Sequence, residues 1–395
     1  MNVAVFSQNQ NELVLGVSGV VNAGTAKEFQ RLVEEARAAC PQGALVLDVG
    51  KVSYFSSAGL RVLLRLEKEG TSPLRLVNAS PELMEVFQDT GFTSILDIRK
   101  AIPEISLEGC ELIGEGANGQ VYRRTRETVV KLFVEGTPLD VVERERELAQ
   151  QSLIHGLPTA ITYNLVQSNG RYGAEFELVD AESLSHVLRD SPERFDEFAR
   201  QYVDVYRSFH STSVGAGEFP SIKDIYHGYI EGCADWYTPE QLDLLRAVVD
   251  SVPDRDTLIH GDYHANNILV ADDELIMIDM GDVSVGHPIF DFLATAATQA
   301  NLVELNPAYA EVHTGMPVET IKRLWNYLLE HYFADKDAGE VERIDQQVRL
   351  FSKLKVACAP VLARNAPKEI VEASVGDAKQ NFLPLAQGLI GSVDW

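Results

Sequence analysis

Apolar and polar positions change period repeatedly along the chain. Glu12–Ser18 (ELVLGVS) alternates, as a half-buried strand does. Thr25-x-x-Glu28 has the spacing of a capping box, and Phe29, Leu32, Val33 and Ala36 then recur at helical intervals. Gly43–Val49 is a short apolar run, as in a buried strand. The turn Phe55-Ser56-Ser57-Ala58-Gly59 leads into a helical pattern of Leu60, Leu63, Leu64 and Glu67. Leu74–Val77 predicts another strand, and Pro81–Thr90 a helix with proline at its start. Strands alternating with helices predict a sheet covered by helices. Periodicity breaks at residues 98–110, around Pro103. Beyond the break, strand-like segments flank a glycine loop at 114–119, and Val129–Phe133 and Val166–Val179 also read as strands. The latter is a hairpin turning at Asn169-Gly170. From about residue 296 the pattern is helical, with Ile321, Leu324, Leu328 and Tyr332 on one face.

The run Leu45–Leu64 (LVLDVGKVSYFSSAGLRVLL) resembles the strand, turn and helix of STAS domains, the fold of anti-sigma factor antagonists and sulfate-transporter tails. The resemblance covers about residues 1–100 and implies a small α/β module that binds a protein partner. It often implies control by phosphorylation in that turn. Ala58 stands directly before Gly59, where several members carry the phosphoacceptor, and Ser56 stands where an aspartate is often found. Ser57 and Ser56 are the candidate acceptors that remain; both serines also suit capping of the next helix.

Composition narrows the field. With 395 residues the chain predicts two or three domains. A formal charge of −25 disfavours nucleic acid, whose phosphates it repels. No apolar run of about 18 residues predicts a membrane span, and no signal peptide is legible. The four cysteines, Cys40, Cys110, Cys233 and Cys358, are far apart and form no CxxC pair. That argues against zinc and a disulfide framework, and fits a cytoplasmic setting.

The chemistry lies after the break. Gly114-Glu115-Gly116-Ala117-Asn118-Gly119-Gln120-Val121 reads G-x-G-x-x-G-x-V between two strands, a phosphate-covering hairpin rather than a strand–loop–helix. Lys131 sits inside an apolar strand, where a charge is unfavourable unless paired. Glu145, with Glu147 in reserve, is the expected partner on the next helix. The most specific run is His260-Gly261-Asp262-Tyr263-His264-Ala265-Asn266-Asn267, followed by Ile278-Asp279-Met280-Gly281. An aspartate five residues before an asparagine has the spacing of a kinase catalytic loop. Asp262 is the residue to accept or orient an attacking hydroxyl, and Asn267 and Asp279 are the residues to hold Mg²⁺. His260, Asp262 and His264 also have the H-x-D-x-H spacing of a metal-hydrolase site. His210 reads as a packed histidine.

HGDYHANNIL followed by IDMGD resembles the aminoglycoside phosphotransferase and choline kinase-like superfamily, over about residues 107–300. The resemblance implies a bilobal protein kinase-like fold, ATP (or GTP) as donor and two Mg²⁺. It implies that Gly114, Gly116, Gly119, Val121, Lys131 and Glu145 bind the nucleotide, and that His260 and Asp291 support the catalytic loop. Adenine would meet the backbone around Glu177–Val179, and the acceptor would lie near Glu231, Asp235, Trp236 and Tyr237. The fold class expected is α+β: a STAS-like α/β domain at 1–100 and a linker at 101–108. A β-rich N-lobe follows at 109–180, then a helical C-lobe at 181–395 with an acceptor-side extension. The function expected is phosphorylation of a hydroxyl on a small-molecule acceptor, with the STAS-like module binding a protein. Two alternatives are a regulatory protein kinase acting on that module or its partner, and a nucleotide-binding signalling scaffold.

Overall fold

The computed structural model describes the whole chain except residues 9–11, 39–43, 71, 117 and 364–365, and except the side chain of Gln8. Of the positions read above, Cys40, Gly43 and Ala117 lie outside the described residues. The chain divides into two compact units, Met1–Ile105 and Ser106–Trp395. Among the described residues no helix is long and apolar enough to cross a membrane.

The first unit is a five-stranded sheet in the order β1 (Asn2–Gln8), β2 (Glu12–Val21), β3 (Ala44–Phe55), β4 (Arg75–Ala79), β5 (Asp97–Lys100). β1 and β2 are antiparallel, and the remaining pairs are parallel. Parallel neighbours need crossovers, which α1 (Ala26–Ala38), α2 (Ser57–Glu69) and α3 (Pro81–Asp89) supply. Leu15 and Val17 of β2, Leu47 of β3, Phe29 and Val33 of α1, and Leu63 of α2 are among the buried side chains of one core. The Thr25–Glu28 capping box is not formed. The Thr25 hydroxyl donates to the Val20 carbonyl (2.8 Å) and accepts the Asn22 N–H (2.9 Å), while the Asn22 side chain takes the Gly24 and Thr25 N–H groups. The polar atoms of that turn are therefore used before the helix begins.

The second unit opens with an antiparallel sheet of β6 (Glu111–Gly116), β7 (Gly119–Arg123), β8 (Thr128–Phe133), β9 (Thr162–Ser168) and β10 (Arg171–Glu177), in the order β6-β7-β8-β10-β9. Asn169 and Gly170 both take positive φ (51° and 76°), the geometry a two-residue hairpin needs. α4 (Leu139–Ile154) covers this sheet through Val142, which packs with Phe133 and Ala174.

The rest is helical around two small sheets. β11 (Glu182–Ser183) leads into α5 (Leu184–Asp190), α6 (Phe195–Ser211), α7 (Ile222–Gly232) and α8 (Pro239–Asp250). Then come β12 (Leu258–Ile259), β13 (Ile268–Ala271), β14 (Glu274–Met277) and β15 (Ser284–Val285). α9 (Ile289–Ala296), α10 (Leu302–Leu305), α11 (Pro307–Thr314), α12 (Val318–Tyr332) and α13 (Ala338–Ala357) follow. Their core is rich in aromatics: Tyr206 meets Tyr263, Phe292, Tyr332 and His210 edge-on. This packing lies directly behind the His260–Asn267 loop, so the loop rests on a dense support.

Candidate active site

The loop carrying Asp262 is fixed at its base. Ile259 pairs with Ser284. The fully buried Asp291, from the first turn of α9, accepts the N–H groups of His260 (2.9 Å) and Gly261 (2.6 Å). His210 Nε2 also donates to Asp291 (3.0 Å), while its Nδ1 accepts from the Tyr332 hydroxyl (2.8 Å). A buried carboxylate is tolerated when it is paired and hydrogen-bonded, and this one has three donors. Gly261 takes φ 82°, and a Cβ there would lie 2.6 Å from the Asp282 carbonyl oxygen. Conformation and close approach therefore both demand glycine. His260 Nδ1 accepts the Asp262 N–H (3.3 Å), so it faces the loop backbone. The metal-hydrolase arrangement is not formed: among the described residues no three His, Cys, Asp or Glu side chains are grouped to hold a metal ion.

A hairpin brings together the chain segments that carry Asn267 and Asp279. β13 pairs with β14 in the register Ile268↔Met277, turning at Asp272-Asp273 with φ 48° and 66°. One step beyond that register, the Ile278 N–H donates to the Asn267 carbonyl (2.9 Å). Asp279 follows in the left-handed conformation (φ 59°, ψ 62°) at the head of the Met280–Asp282 turn. The Asn267 amide donates to the Asp262 carbonyl (3.1 Å) and reaches Oδ2 of Asp262 (3.4 Å). Oxygen donors such as the Asn267 side-chain carbonyl and the Asp279 carboxylate are the type Mg²⁺ takes beside phosphate oxygens and water.

Lys131 enters from β8, and Nζ contacts Glu145 Oε1 at 2.6 Å and Asp279 Oδ1 at 2.9 Å. Burial acts to lower the Lys131 pKa, but the two carboxylates outweigh it and hold the ammonium above its ordinary value. Burial pushes Glu145 up, against the attraction of Lys131 and with the repulsion of Asp279. Glu145 shares a buried stripe of α4 with Val142, Leu148 and Ala149, whereas Glu147 is exposed. In the glycine hairpin, Gly116 pairs with Gly119 and Val121 with Lys131. A Cβ on Gly119 would lie 2.3 Å from the Leu132 carbonyl oxygen. Gly114 is within ordinary contact of Val121, and Gly116 faces open space.

Asp262 Oδ2 lies 3.3 Å from His264 Nε2, and Oδ1 lies 3.6 Å from Lys355 Nζ. Burial raises the Asp262 carboxyl, but the His264 hydrogen bond and the Lys355 charge prevail and hold it well below the usual carboxylate range. Asp282, crowded between Asp262 and Asp279, is pushed up by burial and by those two charges. Asp279 and Asp282 border a cleft of about 690 Å³, lined also by Asn118, Arg144, Glu145, Asp224 and Tyr229. The acceptor-side residues expected from sequence lie elsewhere. Tyr237 is buried with its hydroxyl on the Ala357 carbonyl (2.9 Å), Trp236 packs on the core, and Glu231 and Asp235 are exposed past the turns of α7 that face the cleft. Sequence reasoning missed Asp224, Tyr229, Asp282 and Lys355. Only Asp282, three residues after Asp279, carried a local signal.

In the first unit, Ser56 caps α2: its hydroxyl accepts the Ala58 N–H (3.2 Å) and reaches the Gly59 N–H (3.5 Å). Ser57 is exposed in the first turn. A Cβ on Gly59 would lie 2.8 Å from the side chains of Phe55 and Val21, which explains the glycine.

Comparison with known proteins agrees with both units. The STAS domain family matches residues 4–105, and the phosphotransferase enzyme family, APH, matches residues 109–318. BtrV of Bordetella bronchiseptica, named as an anti-sigma factor antagonist, is 36% identical over 91 residues, 22% of this chain and 76% of the relative. The anti-sigma-B factor antagonist of Bacillus subtilis is 34% identical over 105 residues, 25% of this chain and 92% of the relative. Among solved structures, ADP-bound aminoglycoside phosphotransferase APH(2'')-Ib aligns with a TM-score of 0.50 at 16% identity, over 76% of this chain and 98% of the other. The gentamicin complex of APH(2'')-IIa aligns with a TM-score of 0.51 at 17% identity, over 76% and 97%. At these identities the likeness is one of fold. The chain belongs to the phosphotransferase enzyme family, and its phosphotransferase unit is preceded by a STAS domain.

Proposed function

We propose that the chain transfers the γ-phosphoryl group of ATP or GTP, with Mg²⁺, to a hydroxyl of a small-molecule acceptor, and that the STAS unit binds a regulatory protein partner. The observation that carries this reading is the convergence of Lys131, Glu145, Asp262, Asn267 and Asp279 from four separate stretches of chain. Phosphoryl transfer is mostly positioning and charge neutralisation, and such a set serves both. Lys131, held by Glu145, binds the α- and β-phosphates, exchanging its contact with Asp279 for them. Asn267 and Asp279 hold Mg²⁺, which neutralises charge on the β- and γ-phosphates when bound. The glycine hairpin covers the phosphates. Adenine lies along Glu177–Val179. The N–H groups of Glu177 and Leu178 already donate to the Ile161 and Glu127 carbonyls, so Val179 N–H is the donor left for the base.

Asp262 aligns the acceptor hydroxyl. Its strongly anionic state suits a hydrogen-bond acceptor that orients the nucleophile better than a base that keeps its proton. The hydroxyl oxygen forms its bond to the γ-phosphorus as the bond to the β,γ-bridging oxygen breaks, and the hydroxyl proton passes to the Asp262 carboxylate and from it to solvent. Two of the neighbouring structures hold ligands of their own, ADP in one and gentamicin in the other, and support a nucleotide beside a small-molecule acceptor.

The test is phosphoryl transfer from Mg-ATP across a panel of aminoglycosides, amino alcohols and sugars. Turnover on a panel member that is lost in Asp262→Ala supports the reading; turnover unchanged by that substitution refutes it. A second reading, a kinase acting on the STAS unit or its partner, draws on the fusion and on exposed Ser57. Mass spectrometry after incubation with Mg-ATP tests it, and a phosphate on Ser57 or Ser56 would favour it. The scaffold reading leaves the complete set of charged residues unexplained.

A further inference from the structure

Asp262 is held from two directions. His264 and Asn267, on its own loop, approach Oδ2 at 3.3 and 3.4 Å. Oδ1 faces Lys355 at 3.6 Å. Lys355 belongs to the last turn of α13, beyond the segment 109–318 that matches the phosphotransferase family. The end of α13 is itself anchored. Phe351, Leu354 and Ala357 are buried, the Tyr237 hydroxyl donates to the Ala357 carbonyl, and the Asn301 amide donates to the Arg349 carbonyl (2.9 Å). The ammonium is thus presented by a rigid element.

The charge balance of the cleft gives this contact its weight. Lys131 is shared by Glu145 and Asp279. Asp262 and Asp282 lie beyond it, and the charge of Lys355 acts on both, with that of His260 beside it. A partly exposed ion pair at this separation adds little to stability. What it can supply is orientation, because it engages the one Asp262 oxygen that the loop leaves untouched.

We propose that Lys355 is a positioning residue of the phosphoryl transfer: it fixes Oδ1 of Asp262, so that helix α13 is a working part of the active site. The proposal rests on the assignment of Asp262 made above. Positioning of this kind affects turnover much more than nucleotide binding.

The test uses the full chain, with Mg-ATP as donor and water as acceptor, read as ADP release. Lys355→Met should lower kcat by about 10- to 100-fold, with KM for ATP within about 2-fold and an unchanged melting temperature. Lys355→Arg, which restores the cation, should recover most of the rate. Asp262→Asn combined with Lys355→Met should be no slower than Asp262→Asn alone, because the lysine acts through the carboxylate. Wild-type turnover in Lys355→Met, no recovery with arginine, or a double variant that loses the product of the two single effects would each overturn the proposal. If Lys355→Met melts below the assay temperature, Lys355→Gln is read in its place by the same criteria. No ADP release by the wild type would refute the phosphotransferase reading and this proposal together. An active wild type with an indifferent Lys355 would refute this proposal alone.

Discussion

The two units use polar side chains in opposite ways. In the STAS unit, the turn before α2 places Ser56 and Ser57 near water. Ser56 completes a helix end, and Ser57 has its side chain in the open. In the phosphotransferase unit, Lys131, Glu145 and Asp291 are withdrawn from water; Lys131 is paired with Glu145 and Asp279, Glu145 with Lys131, and Asp291 takes three donors. A buried charge is unfavourable unless its surroundings are built for it. The unit that accepts that penalty repeatedly is the one organised for chemistry. The unit that avoids it presents a surface, as a protein-binding module should.

That contrast can be broken by substitution. The largest effect is expected at Asp262. Asp262→Ala should cut phosphoryl transfer by roughly 10²- to 10⁴-fold, while nucleotide affinity, measured by calorimetry, changes only a few-fold. Next is Lys131→Met, which leaves Glu145 and Asp279 without their cation. It should weaken nucleotide binding and lower unfolding stability by roughly 3 kcal/mol, read by denaturant titration. A stability equal to wild type would mean that the buried pair is not coupled to the fold.

A third expectation concerns acid. Burial lowers the pKa of His287 to about 4, below the ordinary 6.5, and outweighs the hydrogen bond from Nε2 to the Trp395 carbonyl, which acts to raise it; Nδ1 accepts the Ile289 N–H. The unfolded chain therefore binds this proton more readily than the folded one. The stability from neutral His287 is complete above about pH 6.5 and is lost as pH falls towards about 4. Melting temperature should decline across that window, and His287→Gln should flatten the decline; equal slopes would contradict the assignment. The smallest effects belong to the STAS turn. Ser56→Ala should lose about 1 kcal/mol from the missing cap, and Ser57→Ala should be close to neutral. The reverse order would mean that Ser57 has a structural role.

What could be read in advance followed the reach of local physics. The spacing of Asn267 and Asp279 was legible because one short hairpin joins the segments that carry them. The distance of Glu145 to the Gly156-Leu157-Pro158 turn favoured it over Glu147, and the structure places it on the buried stripe of α4. In the STAS unit β2, β3, β4 and the three helices were legible from the alternation of their periods, whereas the edge strands β1 and β5 were not. Lys355 was not legible. It lies about 90 residues beyond Asp262, in a helix where a lysine reads as a surface charge. The contacts of Asp291 with His210, and of His210 with Tyr332, were invisible for the same reason: three helices contribute one group each. The residues expected on the acceptor side, Glu231, Asp235, Trp236 and Tyr237, do not line the cleft beside Asp279. Helix α7 faces the cleft with Asp224 and Tyr229, while the acid and aromatic cluster that looked suitable follows one to two turns later, where the chain bends away. The Thr25 box failed because Asn22, with a better-placed side chain, captured the turn first.

The central claim is that Lys131, Asn267, Asp279 and Asp262 surround one transferable phosphoryl group. A crystal structure of the full chain with Mg²⁺ and a non-hydrolysable ATP analogue tests it most directly. The account predicts Lys131 moved from Asp279 onto the α- and β-phosphates, Mg²⁺ between Asn267 and Asp279, and the γ-phosphate facing Asp262. A nucleotide bound away from the glycine hairpin, or a γ-phosphate turned away from Asp262, would contradict it.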